Sequence, residues 1–280
     1  MRAYVDGALD LLERHSIESG NADWPALRAQ AHAATAHARR PEDTHEAIRA
    51  VIDALGNRHT HLITADRATS PPRTGVPTGQ VTGTIATVRL PKTHARYGRE
   101  YVTAGLKTLR ALIAHHPTGW IVDLRGNGGG AMHPMLTVVA PLLGEGERGT
   151  FVGPRGETTG WGVRRRHLYT GTGRHFRLHR VPPAQHRPVA VLIDGGTASS
   201  GEAVLVSFLG DPTVRTFGRP TGGLATGNQT FALKDGARLA ITTTLMADRT
   251  GRTYGNAPIA PHVPTDDALT KAIEWIEAGA

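Results

Sequence analysis

The first sixty residues show the spacing of helices. Apolar side chains recur every three to four positions, which predicts three amphipathic helices. The third helix follows Pro41 and ends at Gly56, a residue type that favours helix C-termini. The three apolar faces contain Tyr4, Ala8, Leu11 and Leu12; Trp24, Leu27 and Ala31; and Ala47, Val51, Ile52 and Leu55.

After residue 80, short apolar runs alternate with helical patterns. This order predicts an α/β fold with a mostly parallel sheet and flanking helices. The stretch 148–180, dense in Arg, Gly and His, is interpreted as exposed hairpins and loops. The predicted strands lie within 80–90 and at 120–124, 188–193, 213–217, 229–233 and 238–246, and the predicted helices at 99–116, 135–143, 203–209 and 266–278.

The same pattern predicts the domain organisation. Residues 1–62 form an N-terminal helical subdomain that ends in a histidine-containing motif. Residues 63–80, rich in Pro, Ser, Thr and Gly, are expected to be a linker. Residues 81–280 form the core. A chain of 280 residues suits one large domain, or a main domain with a small accessory one.

Composition narrows the classes of function. The chain has no cysteine, which excludes disulfides, thiolate metal sites and a cysteine nucleophile. Its formal charge is +8, but the arginines are scattered and Arg164–His167 is the only dense cluster, so no nucleic-acid partner is expected. No apolar run has membrane-spanning length and no secretory signal is recognised, so we expect no membrane association and a cytoplasmic location.

The segment Asp194-Gly-Gly-Thr-Ala-Ser-Ser-Gly-Glu202 lies between a predicted buried strand and a predicted buried helix. Ser199 and Ser200 therefore occupy a sharp turn beside the unpaired N–H groups that begin the helix. An acyl-transfer nucleophile needs this arrangement, because such N–H groups stabilise an oxyanion. Ser199-x-x-Glu202 is also a capping box, so a purely structural role stays open at this point.

A second glycine-rich loop, Gly126–Gly130, follows the predicted strand 120–124. Sites in α/β sheets form where such loops gather at the carboxyl ends of strands. This loop is thus a candidate source of an oxyanion donor for the serine turn. Gly126-x-Gly128-x-x-Ala131 also matches a dinucleotide fingerprint, but the acidic residue expected after a second strand is missing.

A serine nucleophile needs a base, and Asn57-Arg-His-Thr-His-Leu62 supplies two candidates, His59 and His61. Imidazole accepts a proton near neutral pH and returns it to a leaving group. His59-x-His61 alternatively begins a metal site, but no HExxH or comparable partner is present. We therefore expect neither a metal nor a cofactor. The four lysines stand in no loop expected to face the serine.

Three motifs, in this order, resemble those of the C-terminal processing (tail-specific) peptidases. They are Leu55–Leu62, Val122–Gly130 and Asp194–Glu202. The resemblance implies a ClpP/crotonase-like core. One branch of the family has a lysine base shortly after a Gly-x-Pro-Thr loop, where this chain has Leu224. The chain is therefore more similar to the serine–histidine branch, and the short 63–80 segment leaves no room for an inserted PDZ domain.

The resemblance also implies roles for individual residues. Ser199 becomes the nucleophile and His59 the general base. The N–H of Ser200 and one from Gly128 or Gly129 form the oxyanion hole, and Glu202 is an orienting or supporting carboxylate. The third catalytic member stays open, because His262 stands where the family tail has Asp; Asp211 is another candidate.

The function implied is hydrolysis of a peptide bond through an acyl-enzyme on Ser199. One alternative is the same machinery acting on a non-protein ester, thioester or natural-product intermediate, as a hydrolase, acyltransferase or cyclase. A further alternative is a non-catalytic module that binds peptides. The expected partner is a peptide or a small acyl substrate, and the sequence does not specify the number of subunits.

Overall fold

The computed structural model describes residues 1–69, 74–178, 181–184 and 187–279. These residues form two compact units. The first unit comprises Met1–Pro72, Gly153–Glu157 and Thr226–Leu245. The second comprises Arg73–Val152, Thr158–Ala225 and Met246–Ala280.

The described residues contain eight α-helices and fourteen strands. The helices are α1 (Arg2–His15), α2 (Trp24–Ala34), α3 (His45–Ala54), α4 (Ala65–Thr69), α5 (Gly98–Ile113), α6 (Met132–Leu143), α7 (Ser200–Phe208) and α8 (Ala268–Glu277). The strands are β1 (His61–Ile63), β2 (Thr78–Thr82), β3 (Ile85–Arg89), β4 (Gly119–Asp123), β5 (Gly146–Val152), β6 (Thr158–Arg164), β7 (His167–Thr170), β8 (Gly173–Arg177), β9 (Val189–Ile193), β10 (Val214–Gly218), β11 (Thr226–Ala232), β12 (Arg238–Asp248), β13 (Thr253–Tyr254) and β14 (Val263–Pro264).

In the first unit, three amphipathic helices pack on antiparallel strands. The apolar faces of α1, α2 and α3 form one buried cluster with Leu239 and Ile241 of β12. Strands β1 and β11 both pair with β12 in antiparallel register. The three predicted helices are present, but the strands that they cover come from a hairpin much later in the chain. His59, which follows α3, and Thr226, which begins that hairpin, are 167 positions apart.

A six-stranded sheet organises the second unit, in the order β14-β10-β9-β4-β3-β2. Its inner pairs are parallel, and only the edge pair β2–β3 is antiparallel. Every residue of β4 and β9 is buried, as expected for parallel strands that are covered on both faces. Alternate strand residues pack on α5, α6 and α7 on one face and on α8 on the other.

Four further strands, β5 to β8, form an antiparallel meander. The fold is therefore mixed α/β, and the expectation of one mostly parallel sheet describes only part of it. The interpretation of 148–180 as exposed hairpins and loops agrees with the antiparallel pairing but is wrong about the exposure, because Trp161, Val163 and Leu168 are buried. Trp161 Nε1 donates a 2.9 Å hydrogen bond to Ser207 of α7. Residues 179–180 lie outside the described residues.

The segment interpreted as a linker, residues 63–80, contains α4 and the first residues of β2. Its residues 70–73 lie outside the described part of the chain. Among the described helices, none combines the length and the apolar character that crossing a membrane requires.

Candidate active site

The serine turn connects β9 to α7, and its backbone is unusual at Ser199. This residue has φ 55° and ψ −120°, a left-handed conformation that costs a non-glycine residue on the order of 1–3 kcal/mol. The surrounding hydrogen bonds hold it there: the Ser199 N–H donates to Glu202 Oε2 at 2.8 Å, and the Ala203 N–H donates to the Ser199 carbonyl at 3.0 Å. Serine nucleophiles of other hydrolases stand on similarly strained strand-to-helix turns.

The two serines of the turn differ in their surroundings. Ser200 is buried, and its hydroxyl donates a 2.8 Å hydrogen bond to the carbonyl of Gly130. Ser199 is half-buried and directly precedes the helix. The hydroxyl of Ser200 is therefore engaged in holding two loops together, which leaves Ser199 as the candidate nucleophile of the pair.

Glu202 is fully buried and accepts four hydrogen bonds. Besides the Ser199 N–H, its donors are the Thr221 hydroxyl at 2.5 Å, the Gly223 N–H at 3.0 Å and the Leu224 N–H at 2.8 Å. Burial raises the pKa of this carboxyl above its ordinary value, although the four donors oppose the shift. Glu202 is thus the carboxylate half of the predicted capping box and also ties the serine turn to the loop that follows β10.

The glycine-rich loop Gly126–Gly130 is bonded directly to the serine turn. The Gly126 N–H donates to Asp194 Oδ1 at 2.9 Å, and the Ala198 N–H donates to the Asn127 carbonyl at 3.0 Å. Asn127 is fully buried and donates from Nδ2 to the Leu90 carbonyl at 2.9 Å. The predicted meeting of the two loops at the carboxyl ends of β4 and β9 is therefore present.

The candidate oxyanion donors are not equivalent. The Gly128 N–H donates to the Gly126 carbonyl at 3.1 Å, and the Gly129 N–H donates to Asn127 Oδ1 at 3.0 Å. Within the described part of the chain, no hydrogen bond uses the Ser200 N–H, as is usual in the first turn of a helix. Ser200 therefore offers a free donor beside Ser199, whereas both glycine N–H groups already have acceptors inside their loop.

His59 belongs to the first unit, in the short connection between α3 and β1. Its ring Nδ1 lies 2.6 Å from the hydroxyl oxygen of Thr226. Burial, together with the nearby His61, lowers the pKa of His59 to about 4. The imidazole is therefore neutral at pH 7, which is the state in which a ring nitrogen can accept a proton.

The neighbouring His61 is exposed, and its Nδ1 lies 2.9 Å from the carbonyl oxygen of His59. Within the described ranges, no group of three or more His, Cys, Asp or Glu side chains is arranged to hold a metal ion. His61 is thus a surface residue that hydrogen-bonds to the backbone of His59.

The two candidates for a third catalytic member are engaged away from the serine turn. Asp211 lies beyond the C-terminal end of α7, whereas Ser199 precedes its N-terminal end, and Asp211 pairs with Arg249 at 2.8 Å. His262 accepts the Thr216 N–H on Nδ1 at 3.1 Å, beside the middle of β10. Sequence reasoning missed Thr226 as the partner of His59, and no local motif marks it.

A strained serine at a strand-to-helix turn, with a free helical N–H beside it and a glycine loop bonded to it, is an arrangement that serine-type hydrolases use. Residues 84–265 match Peptidase family S41, and the chain belongs to this family of serine peptidases. It is therefore a serine-type peptidase.

Relatives cover nearly the whole chain. The chain is 28% identical over 277 residues to the nisin-resistance protein of Lactococcus lactis subsp. lactis, covering 98% of this chain and 86% of that protein. A lipoprotein structure from Streptococcus agalactiae is similar with a TM-score of 0.84 and 25% identity, over 100% of this chain and 96% of the other. The photosystem II D1 C-terminal processing protease shares the fold, with a TM-score of 0.66 and 15% identity over 97% and 96% of the two chains.

Proposed function

We propose that this peptidase cleaves peptide bonds through an acyl-enzyme on Ser199, with His59 as the general base. The observation that carries the proposal is the backbone of Ser199. Its left-handed conformation holds the residue on a strained turn, next to the unpaired N–H of Ser200. Glu202 accepts four hydrogen bonds, one of them from the Ser199 N–H, and so ties the turn to the loop after β10. A helix cap by itself does not need a left-handed residue.

The proposed reaction has two balanced halves. In the first, Ser199 Oγ bonds to the scissile carbonyl carbon while its proton moves to His59 Nε2. The same proton then goes to the leaving amine as the C–N bond breaks, which leaves an ester on Ser199. In the second half, His59 takes a proton from water as the water oxygen bonds to the ester carbon. The bond between that carbon and Ser199 Oγ then breaks, the proton passes from His59 to Ser199 Oγ, and the acid half of the peptide leaves.

The lowered pKa of His59 supports its role as the base, since the ring is unprotonated throughout the neutral range. His59 rather than His61 is proposed because its backbone and ring are both held by hydrogen bonds. The exposed His61 has one such bond, to the backbone of His59.

We propose that the developing oxyanion is stabilised first by the Ser200 N–H. A second donor would come from Gly128 or Gly129, which requires that N–H to share or leave its present acceptor in the loop. The close approach of Gly129 to Ser200 supports Gly129 for this part. An oxyanion donor of this kind contributes on the order of 10²–10³ in turnover.

We also propose that the second unit is a ClpP/crotonase-like core without an inserted PDZ domain. The mostly parallel six-stranded sheet supports this assignment, with helices on both faces and the glycine loop and serine turn at neighbouring strand ends. The 63–80 segment, which corresponds to the place of such an insertion in the family, contains α4 and the start of β2.

The test compares matched pairs of variants in the full-length chain. Ser199→Ala and His59→Ala should lower peptide hydrolysis by at least about 10³-fold, because the nucleophile and its base act as a unit. The controls Ser200→Ala and His61→Ala should keep activity within about 10-fold. A fluorophosphonate probe should label wild type and Ser200→Ala but not Ser199→Ala.

The substrate panel contains a peptide library, small esters and thioesters, and nisin, which is included because a relative is named for resistance to it. Cleavage of peptides supports the proposal. Turnover of the small esters and thioesters with no cleavage of peptides would show that the same catalytic residues act on a non-protein substrate. Wild-type activity in both Ser199→Ala and His59→Ala would overturn the mechanism, and absence of probe labelling in wild type would favour a non-catalytic peptide-binding module.

A further inference from the structure

We propose that Thr226 is the positioning residue of His59: its hydroxyl oxygen accepts the Nδ1–H of the imidazole and so keeps Nε2 free to accept a proton. This inference rests on the proposed role of His59 as general base. The two carboxylates that the sequence offers for such a role have other partners, Glu202 at the Ser199 N–H and Asp211 at Arg249. The motif around His59 gives no sign of Thr226.

The contact is short and well fixed. Thr226 Oγ1 lies 2.6 Å from His59 Nδ1, and the Thr226 side chain is only 2% exposed. Thr226 is the first residue of β11 and pairs with Leu245 of β12, so its backbone is held by the sheet. A buried hydroxyl at this distance from a ring nitrogen determines which way the ring faces.

Two asparagine side chains hold the backbone of His59, one from its own loop and one from β11. The His59 N–H donates to Asn57 Oδ1 at 2.9 Å, and its carbonyl accepts from Asn228 Nδ2 at 2.9 Å. Thr242 Oγ1 lies 3.1 Å from Asn57 Oδ1 and 2.9 Å from Asn228 Oδ1, which joins the two amides. With the backbone fixed, the bond to Thr226 is what selects the orientation of the ring.

Two ionisable side chains act on this network. His61 lies beside His59 and disfavours a positive charge on it. Glu18 accepts a 2.5 Å hydrogen bond from Asn57 Nδ2. This carboxylate therefore bonds to the side-chain amide of Asn57 and not to the imidazole ring of His59. A neutral hydroxyl therefore stands where serine peptidases with a triad place a carboxylate. It fixes the tautomer while adding less stabilisation to the imidazolium than a carboxylate adds.

The proton position decides between two arrangements. If Nδ1 carries the proton, it donates to Thr226, and Nε2 has the lone pair that accepts the Ser199 proton. If Thr226 donates to Nδ1 instead, the proton of the neutral ring is on Nε2, and that nitrogen cannot act as a base. The proposal requires the first arrangement.

The first measurement is the tautomer of His59 in the full-length wild-type protein. Two-bond ¹H–¹⁵N spectra of ¹⁵N-labelled protein at pH 7 distinguish a protonated from an unprotonated ring nitrogen. The His59→Gln spectrum identifies which of the fifteen histidine signals belongs to His59. We expect a protonated Nδ1 and an unprotonated Nε2, and the reverse result would overturn the proposal.

The second measurement is activity in matched threonine variants. Thr226→Val removes the hydroxyl at similar size and should lower kcat by about 10- to 100-fold with little change in KM. Thr226→Ser keeps the hydroxyl and should restore most of the activity. The control is Thr230→Val in the same strand, where the threonine is exposed and should tolerate the change.

The outcomes separate this proposal from the proposed function. If His59→Ala loses activity but Thr226→Val retains it while folded, Thr226 is not the positioning residue although His59 remains the base. If His59→Ala retains activity, the proposed base fails, and the tautomer in wild type still decides the role of Thr226. If Thr226→Val does not fold, the tautomer spectrum and the Thr226→Ser variant carry the test.

Discussion

Gly129 lies so close to Ser200 that a β-carbon on Gly129 would stand 2.8 Å from the Ser200 backbone nitrogen. The same atom would be 2.8 Å from the Ala198 carbonyl oxygen and 2.9 Å from the β-carbon of Ser199. Real β-carbons do not approach backbone atoms at these distances. Only glycine at position 129 therefore allows the glycine-rich loop to rest against the serine turn.

This contact predicts that substitution of Gly129 is harmful and that substitution of its neighbour Gly128 is tolerated. Gly129→Ala combines the clash with a φ of 93°, and it should lower the rate of fluorophosphonate labelling by about 10²-fold because the loop or the serine must shift. Gly128→Ala should behave as wild type in labelling and thermal unfolding, since its nearest neighbour for a β-carbon is 4.0 Å away. Equal effects of the two substitutions would contradict the packing of the loops.

The buried carboxylate of Glu202 predicts a large effect from a small change. In Glu202→Gln, an amide –NH₂ replaces one carboxylate oxygen and faces backbone N–H donors that previously had an acceptor. Leaving such donors unpaired should lower the free energy of unfolding by about 1–3 kcal/mol and reduce Ser199 labelling as well. Glu274→Gln serves as the control, because that residue is exposed and its ion pair with Lys271 contributes little. Denaturant unfolding of the two variants checks the difference.

The pKa of His59 predicts how activity depends on pH. Because the folded protein holds this pKa at about 4, the base stays unprotonated as the pH falls through 6.5, the ordinary value for histidine. The rate of fluorophosphonate labelling should therefore be nearly constant from pH 7.5 to 5.5 and fall only as the pH approaches 4. A midpoint near pH 6.5 would contradict the burial of His59, and circular dichroism at each pH separates protonation from unfolding.

The lowered pKa of His59 also makes the stability of the folded protein depend on pH, over a range in which the labelling rate stays nearly constant. Unfolded His59 binds a proton near pH 6.5 and folded His59 only near 4, so the free energy of unfolding should decrease as the pH falls between these values. Burial and the stacked His175 also lower the pKa of His133 to about 4, and it contributes in the same direction. Thermal unfolding of wild type and His133→Gln between pH 7 and 4.5 should show a smaller decrease for the variant.

A buried pair holds the first unit together. His45 Nε2 lies 2.9 Å from Asp235 Oδ2, and both side chains are less than 10% exposed, at 7% and 5%. Asp235→Asn should lower the thermal stability by the equivalent of about 1–3 kcal/mol, because a buried charge-assisted hydrogen bond is lost. Asp10→Asn removes an exposed ion pair with Arg28 and should change stability by less than about 1 kcal/mol. Comparable losses in both variants would be inconsistent with this difference in burial.

Local patterns account for the elements that carry the candidate site. The apolar run of β9 and the capping residues of α7 predict the strand–turn–helix around Ser199 without any knowledge of the tertiary structure. Glycines after β4 predict a loop at the neighbouring strand end. The burial of side chains in the meander β5 to β8 was not predicted, because the density of Arg, Gly and His among few apolar residues is typical of exposed hairpins and loops.

What the sequence by itself determined is therefore the serine turn, the glycine loop, the histidine motif and the family to which their order belongs. Each of these is encoded within a dozen consecutive residues, where apolar spacing and capping act locally. Only the tertiary structure decided that Glu202 accepts hydrogen bonds from a later loop, in which Gly223 is 21 positions away. It also paired His59 with Thr226, 167 positions away. A hydrogen bond between positions so far apart leaves no periodic signal in the chain, because packing of the whole sheet is what brings its two atoms together.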